Sequence, residues 1–196
     1  FVWLLACLLL LPLAAAPQKG KSKIPDYSLT ARKDVPVDVT WKVDDIYAND
    51  DAWNKDREKI KGMIKKLEGT LKDWTASPKK MLAFLKLRDS IYMLLTKLNH
   101  YPALQGDMDL GDSKFQKMKG RMAEINVSLS SMLSGLSTDI LKMGKAKFES
   151  YLKSEPGLKP YAFGIYDSLR SKDHVLPAGE AKVYSLSGLF SGGFSR

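Results

Sequence analysis

Cysteine and histidine are scarce in this 196-residue sequence: there is one cysteine, Cys7, and there are two histidines, His100 and His174. A single cysteine excludes an intramolecular disulfide and a cysteine-based zinc knot, and two histidines so far apart fall short of a catalytic zinc site built from this chain alone. Nine prolines and fourteen glycines are too few for a collagen-like or low-complexity chain, while 44% hydrophobic and 27% charged residues suffice for a packed core. Arginine is also rare. Lysine supplies 25 of the 31 basic residues, spread between acidic neighbours as in Asp56-Arg57-Glu58-Lys59. The arginine-rich groove of a nucleic-acid binder is missing, so the lysines read as a solvated face and no nucleic-acid partner is expected. The net charge of +9 favours solubility and permits acidic partners.

Charge is absent altogether from Phe1 through Ala16, where Leu4-Leu5-Ala6-Cys7-Leu8-Leu9-Leu10-Leu11 runs into Pro12-Leu13-Ala14-Ala15-Ala16. An apolar stretch of about 13 residues is too short for a stable transmembrane helix and has the core and small-residue end of a secretory signal peptide. Its basic start and initiator Met are missing, so the expectation is an N-terminally truncated signal at residues 1–16. Cys7, after Leu4-Leu5-Ala6, resembles a lipoprotein acylation site, but the continuing apolar run marks an ordinary signal-peptide cysteine. Cleavage after Ala14, Ala15 or Ala16 would leave a mature chain of about 180 residues without cysteine, exported to the periplasm or the exterior and free of the membrane. Residues 17–36, with Lys19-Gly20-Lys21-Ser22-Lys23, read as a polar linker.

From there the apolar period is helical, and no alternating run is long enough for a strand. Trp53, Ile60, Met63, Ile64, Leu67, Leu71 and Trp74 mark one face of a helix starting near Asn49 or Asp50, with Asp51 and Asp56 complementing its dipole. Ser77-Pro78 is an N-cap with proline at the first helical position, followed by Met81, Leu82, Phe84, Leu85, Ile91, Tyr92, Leu95 and Leu98. That second helix is unusually apolar and is expected at the bundle centre. Gly106 through Gly111 breaks the pattern. A third helix from Asp112 or Ser113 carries Phe115, Met118, Met122, Ile125, Leu129, Met132, Leu133 and Leu136. Shorter pieces follow around Phe148, Tyr151 and Leu152, from Pro160 to Leu169, and from Pro177. The predicted fold class is all-α, a bundle of antiparallel helices over 37–196.

Three patches carry a resemblance. The first is Val39-Thr40-Trp41-Lys42-Val43-Asp44-Asp45-Ile46-Tyr47 followed by Asp50-Asp51-Ala52-Trp53. The second is Leu98-Asn99-His100-Tyr101-Pro102-Ala103-Leu104 with Asp107-Met108-Asp109. The third is Glu155-Pro156-Gly157-Leu158-Lys159-Pro160-Tyr161, then Leu169-Arg170-Ser171-Lys172-Asp173-His174-Val175-Leu176 and Glu180. In this order and spacing, over residues 37–182, they resemble the opening of the oligoendopeptidase F family, zinc peptidases related to thimet oligopeptidase. Val175 and Pro177 to Gly179 depart from the family's polar helix start, and Ser185 to Arg196 is poor in its leucines.

The resemblance implies a larger all-α metallopeptidase of which this is the N-terminal helical region, acting on oligopeptide substrates and walling the substrate channel. It implies zinc in the complete protein, bound by a His-Glu-x-x-His motif beyond Arg196 in a C-terminal catalytic domain, this chain's expected partner. Neither His100, followed by Tyr101, nor His174, followed by Val175, has that spacing. No catalytic, cofactor-binding or metal-ligating residue is therefore assigned here, and the fragment alone is expected to be inactive. His174 reads as a helix-terminus histidine before a ligand or an acid. Tyr161, Tyr166 and Arg170 read as packing and surface residues before substrate contacts. Met118, Met122 and Met132 read as core before metal box. Asn126-Val127-Ser128 matches a glycosylation sequon but falls inside a helix. The alternative function is a non-catalytic secreted helical binding module.

Overall fold

The computed structural model describes residues 25–109, 111–171 and 176–191. The segment Phe1–Ala16 and His174 lie outside the described residues. The chain divides into two units, one ending at Trp41 and the other beginning at Lys42. In the first, the described residues form two single-turn 3-10 helices, Arg32–Asp34 and Val37–Val39. Thr40 closes the second, donating its N–H and its hydroxyl to the Val37 carbonyl at 3.1 and 2.8 Å.

The second unit is helical throughout, with no strand among the described residues. After a 3-10 turn at Val43–Asp45 comes α1, Asp50–Glu68. It starts where the sequence predicts because the Asn49 side chain accepts the Ala52 N–H at 2.9 Å, and Asp50 and Asp51 in its first turn against Lys65 and Lys66 in its last suit the dipole. Its buried stripe is Trp53, Ile60 and Leu67. The stripe was expected to continue through Leu71 and Trp74, but α1 ends at Glu68. Both residues lie instead in a chain of turns running from Gly69 to the next cap. Trp74 is buried there all the same, stacked on Phe84 at 4.7 Å, so its spacing reported burial without reporting helix.

Ser77 caps α2, Pro78–Met108, by accepting the Lys80 N–H. This helix runs two residues past the predicted break at Gly106 and lies at the centre of the bundle, packed against α1, against α3 (Ser113–Leu133), and against the later segments. α3 begins at the Asp112 cap and stops at Leu133; Leu136, expected on its face, opens a separate helix α4, Leu136–Met143. Gly144, at φ +77°, turns α4 into α5, Lys145–Ser154, in a backbone conformation that a side chain would strain. A 3-10 segment, Pro156–Tyr161, leads into α6, Ala162–Arg170, and the described chain ends with α7, Ala178–Ser191, lying against α3.

The turns after α1 are pinned from the far side of the bundle. The Trp74 indole donates to Asp139 Oδ2 on α4 at 3.0 Å, and the Tyr151 hydroxyl on α5 donates to the Thr75 carbonyl at 3.0 Å. At Pro156–Tyr161, Leu158 is fully buried, and a Cβ on Gly157 would come within 2.7 Å of Leu82 on α2. One apolar cluster runs from Val43 to Ile165 through every helix from α1 to α6. Among the described residues no helix is long and apolar enough to cross a membrane.

Candidate functional site

Residues Tyr47 to Trp53 of the first sequence patch meet the second patch where α1 begins and α2 ends. Pro102 sits inside α2, where it has no N–H to give the carbonyl of Leu98 one turn earlier. The indole of Trp53, fully buried on α1, donates to that carbonyl at 2.9 Å. One bond thus satisfies two buried groups that would otherwise each be costly, a tryptophan N–H and a helix carbonyl orphaned by proline. Around it the hydroxyl of Tyr101 donates to Asp50 Oδ1 at 2.9 Å, and the hydroxyl of Tyr47 to Asp56 at 3.0 Å; the two rings meet edge to face at 5.6 Å.

Asp50 also receives Lys114 of α3 at 2.9 Å, so one carboxylate ties three helices together. Its pKa is lowered, chiefly by the hydrogen bond from Lys114 and further by that from Tyr101. The Tyr101 hydroxyl is pushed up to about 12 by burial and by Asp50, and that of Tyr47 is raised by burial and by Asp56. These phenols stay protonated and act as donors. Nothing in the cluster is poised to exchange a proton near neutrality, and its chemistry is that of a joint.

Beside the joint lies an open cleft of about 270 Å³ between α1 and α3, lined by Asp50 and Asn54 on one side and Ser113, Lys114, Lys117, Met118 and Arg121 on the other. A larger groove of about 590 Å³ opens over the other end of the bundle. Its floor is apolar, with Trp74, Leu85, Leu133, Ile140 and Ile165, and its rim carries the hydroxyl groups of Tyr92, Ser130, Ser137 and Tyr161 beside Arg88.

The singled-out residues distribute as follows. His100 is exposed on α2, its Nδ1 within 2.8 Å of the Thr96 carbonyl one turn back. Among the described residues no three His, Cys, Asp or Glu side chains converge in a way that would hold a metal ion. Met118 and Met122 are buried and Met132 half-buried, all within or against the common core. Asn126 exchanges amide hydrogen bonds with Asn99 of α2 at 3.0 and 3.3 Å, which occupies the sequon's side chain between two helices. Tyr166 packs edge to face on Phe148 at 5.4 Å, and Arg170 is exposed and paired with Asp167 at 2.9 Å. Tyr161 lines the larger groove, its pKa raised by burial and by Asp89.

The joint escaped the sequence analysis although its signals were present. A proline well inside an apolar helix demands an outside donor for the preceding turn, and a buried tryptophan demands an acceptor. Which tryptophan serves which proline is a matter of helix packing.

The comparisons with known proteins point one way. A family model described as Oligopeptidase F matches residues 139–195. The chain is 27% identical over 168 residues to Oligopeptidase PepF of Bacillus subtilis (strain 168), covering 84% of this chain and 24% of that protein. It is 24% identical over 161 residues to the plasmid Oligoendopeptidase F of Lactococcus lactis subsp. cremoris, covering 80% of this chain and 26% of the relative. The crystal structure of oligoendopeptidase-F from Enterococcus faecium superposes with a TM-score of 0.63 at 20% identity, over 71% of this chain and 28% of that one, which shows a shared helical fold. The chain spans about a quarter of the length of the curated relatives it matches. By sequence and by fold, this chain is related to the N-terminal region of the oligopeptidase F family.

Proposed function

We propose that this chain is the N-terminal helical region of an exported zinc-dependent oligoendopeptidase, where it walls the approach of short peptides to a catalytic centre carried by sequence beyond Arg196. The observation that carries this reading is the identity to Oligopeptidase PepF extending over 84% of the chain. Peptide hydrolysis by such an enzyme needs a metal-activated water with a glutamate as base, on a His-Glu-x-x-His helix. The two histidines of this chain do not have that spacing, so no chemical step is assigned to its residues. Its contribution would be shape and charge. A rigid bundle, closed by the joint of α1, α2 and α3, admits extended peptides past its surface and excludes folded proteins. Export rests on the uncharged run Phe1–Ala16.

The test is to read the coding sequence that follows Arg196 and to assay the protein it completes. The expected result is a His-Glu-x-x-His motif downstream and chelator-sensitive cleavage of oligopeptides by the joined protein, with none by this chain alone. A downstream sequence without the motif, or a joined protein inert toward peptides, would favour the secreted helical binding module instead.

A further inference from the structure

The cleft between α1 and α3 has a feature that the joint beside it does not explain. Lys114, Lys117 and Arg121 follow one another at three and four positions, so α3 presents them on one face, and all three line the cleft. Only Lys114 is neutralised, by Asp50 at 2.9 Å. Lys117 and Arg121 have no carboxylate within ion-pairing distance among the described residues. On the facing wall Asn54 offers an amide, able both to donate and to accept, and Ser113 adds a hydroxyl at the mouth.

We propose that this cleft is a recognition site for an acidic peptide segment, with a glutamate or aspartate carboxylate seated between Lys117 and Arg121. Three observations select that ligand class. The cleft, at about 270 Å³, holds a side chain or two and not a folded surface. Two unpaired cations side by side, one of them a guanidinium with a planar fork of donors, match a carboxylate. Asp50 at the rim repels a continuous phosphate backbone, whereas a peptide can place a single carboxylate away from it and use Asn54 for its own backbone groups. The proposal rests on the reading that this chain meets peptides. It gives that reading a direction, because a peptide drawn to this cleft by charge would be enriched in acidic residues.

Binding is measured on this chain without any catalysis, so the outcome is separate from whether a peptidase motif lies downstream. The probe is a fluorescein-labelled hexapeptide carrying one glutamate in a serine-glycine frame, followed by anisotropy, beside the same labelled frame with glutamine in its place. Saturable binding of the acidic peptide alone is expected, weakening as salt is raised. The double reversal Lys117→Glu with Arg121→Glu should cost about tenfold or more in affinity, while Lys142→Glu with Lys153→Glu, an equal change of net charge elsewhere on the surface, should cost under about twofold. The conservative pair Lys117→Arg with Arg121→Lys should retain binding, and circular dichroism checks that every variant keeps its helix. Equal losses from the two reversals would show a general attraction to a +9 chain and overturn the proposal. So would the absence of saturable binding, or a single-stranded oligonucleotide that binds the cleft more tightly than the acidic peptide.

Discussion

Helix α7 is richer in apolar residues than α1 and lies against α3, yet it leaves large apolar side chains in water where α1 to α3 bury most of theirs. In α1 to α3 Trp53, Ile60, Leu67, Met81, Ile91 and Leu98 are wholly withdrawn from water, and polar side chains bond across every helix boundary. On α7 the apolar residues Val183 and Tyr184 remain 70% and 74% exposed, and with Leu176 and Pro177 they line a shallow apolar depression of their own. The difference shows that helical periodicity alone does not decide burial. α1 and α2 carry groups that need one another, a proline-orphaned carbonyl and an indole, a carboxylate and two donors, whereas among the described residues no side chain of α7 bonds to another helix.

The contrast can be broken most severely at Trp53. Trp53→Ala should destabilise the bundle by about 3–5 kcal/mol, as removal of a large buried aromatic does, measured by urea denaturation. Trp53→Phe keeps most of the volume and isolates the bond, and should cost about 1–3 kcal/mol through the unpaired Leu98 carbonyl. In a Pro102→Ala background that carbonyl regains a backbone N–H, so the Trp53→Phe cost should shrink there. An unchanged cost would show that the indole bond carries no weight.

A smaller effect is expected at Asp50. Because its pKa is lowered in the folded chain, the native state binds fewer protons than the unfolded chain. The stabilisation it adds is full above the ordinary carboxylate range and disappears as pH falls through the folded value. The pair with Lys114 is partly exposed, which limits its worth to about 1 kcal/mol or less. Asp50→Asn should therefore be less stable than the parent at pH 7, and the two should converge as pH falls through the lowered folded value of Asp50, below which both are uncharged at this position. A difference that persists undiminished at low pH would place the effect in packing and not in the charge.

The smallest change in stability is expected on α7. Val183→Ser with Tyr184→Ser should move stability by no more than about 0.5 kcal/mol, since neither side chain is buried. The same pair should reduce self-association and the binding of a hydrophobic dye, because it removes apolar surface from solvent. A parent chain that is monodisperse and does not bind the dye would mean the α7 face is too small to matter.

The segments that were legible in the sequence are those governed by neighbours along the chain. Asn49 and Ser77 started their helices as expected, because a cap acts on a backbone N–H three residues away. The methionines at 118 and 122 fell in the core because spacing on a helix decides which face they share. The run from Leu71 to Trp74 was misread as helix, since a bond from the indole to Asp139, 65 residues away, holds that turn in place. Leu136 was assigned to α3 for a related reason: its spacing fits, but the chain turns at Ser134 and Gly135 to bring α4 and Asp139 to Trp74. The basic residues of α3 were read with all the other lysines as a solvated face. That Asn54 stands across from them, with two of the three cations at the cleft left unpaired, depends on how α1 and α3 lie together.

What the sequence by itself determined is the helical class, the caps, the core stripes and the likeness to the N-terminal region of the oligopeptidase F family, all of which rest on local period or on residue order. Only the tertiary structure decided that Pro102 is served by Trp53, that Asp50 joins three helices and that a basic cleft opens beside them. These depend on the distance between groups far apart in the chain, which no pattern along it encodes until the apolar stripes have packed and fixed the helices against one another.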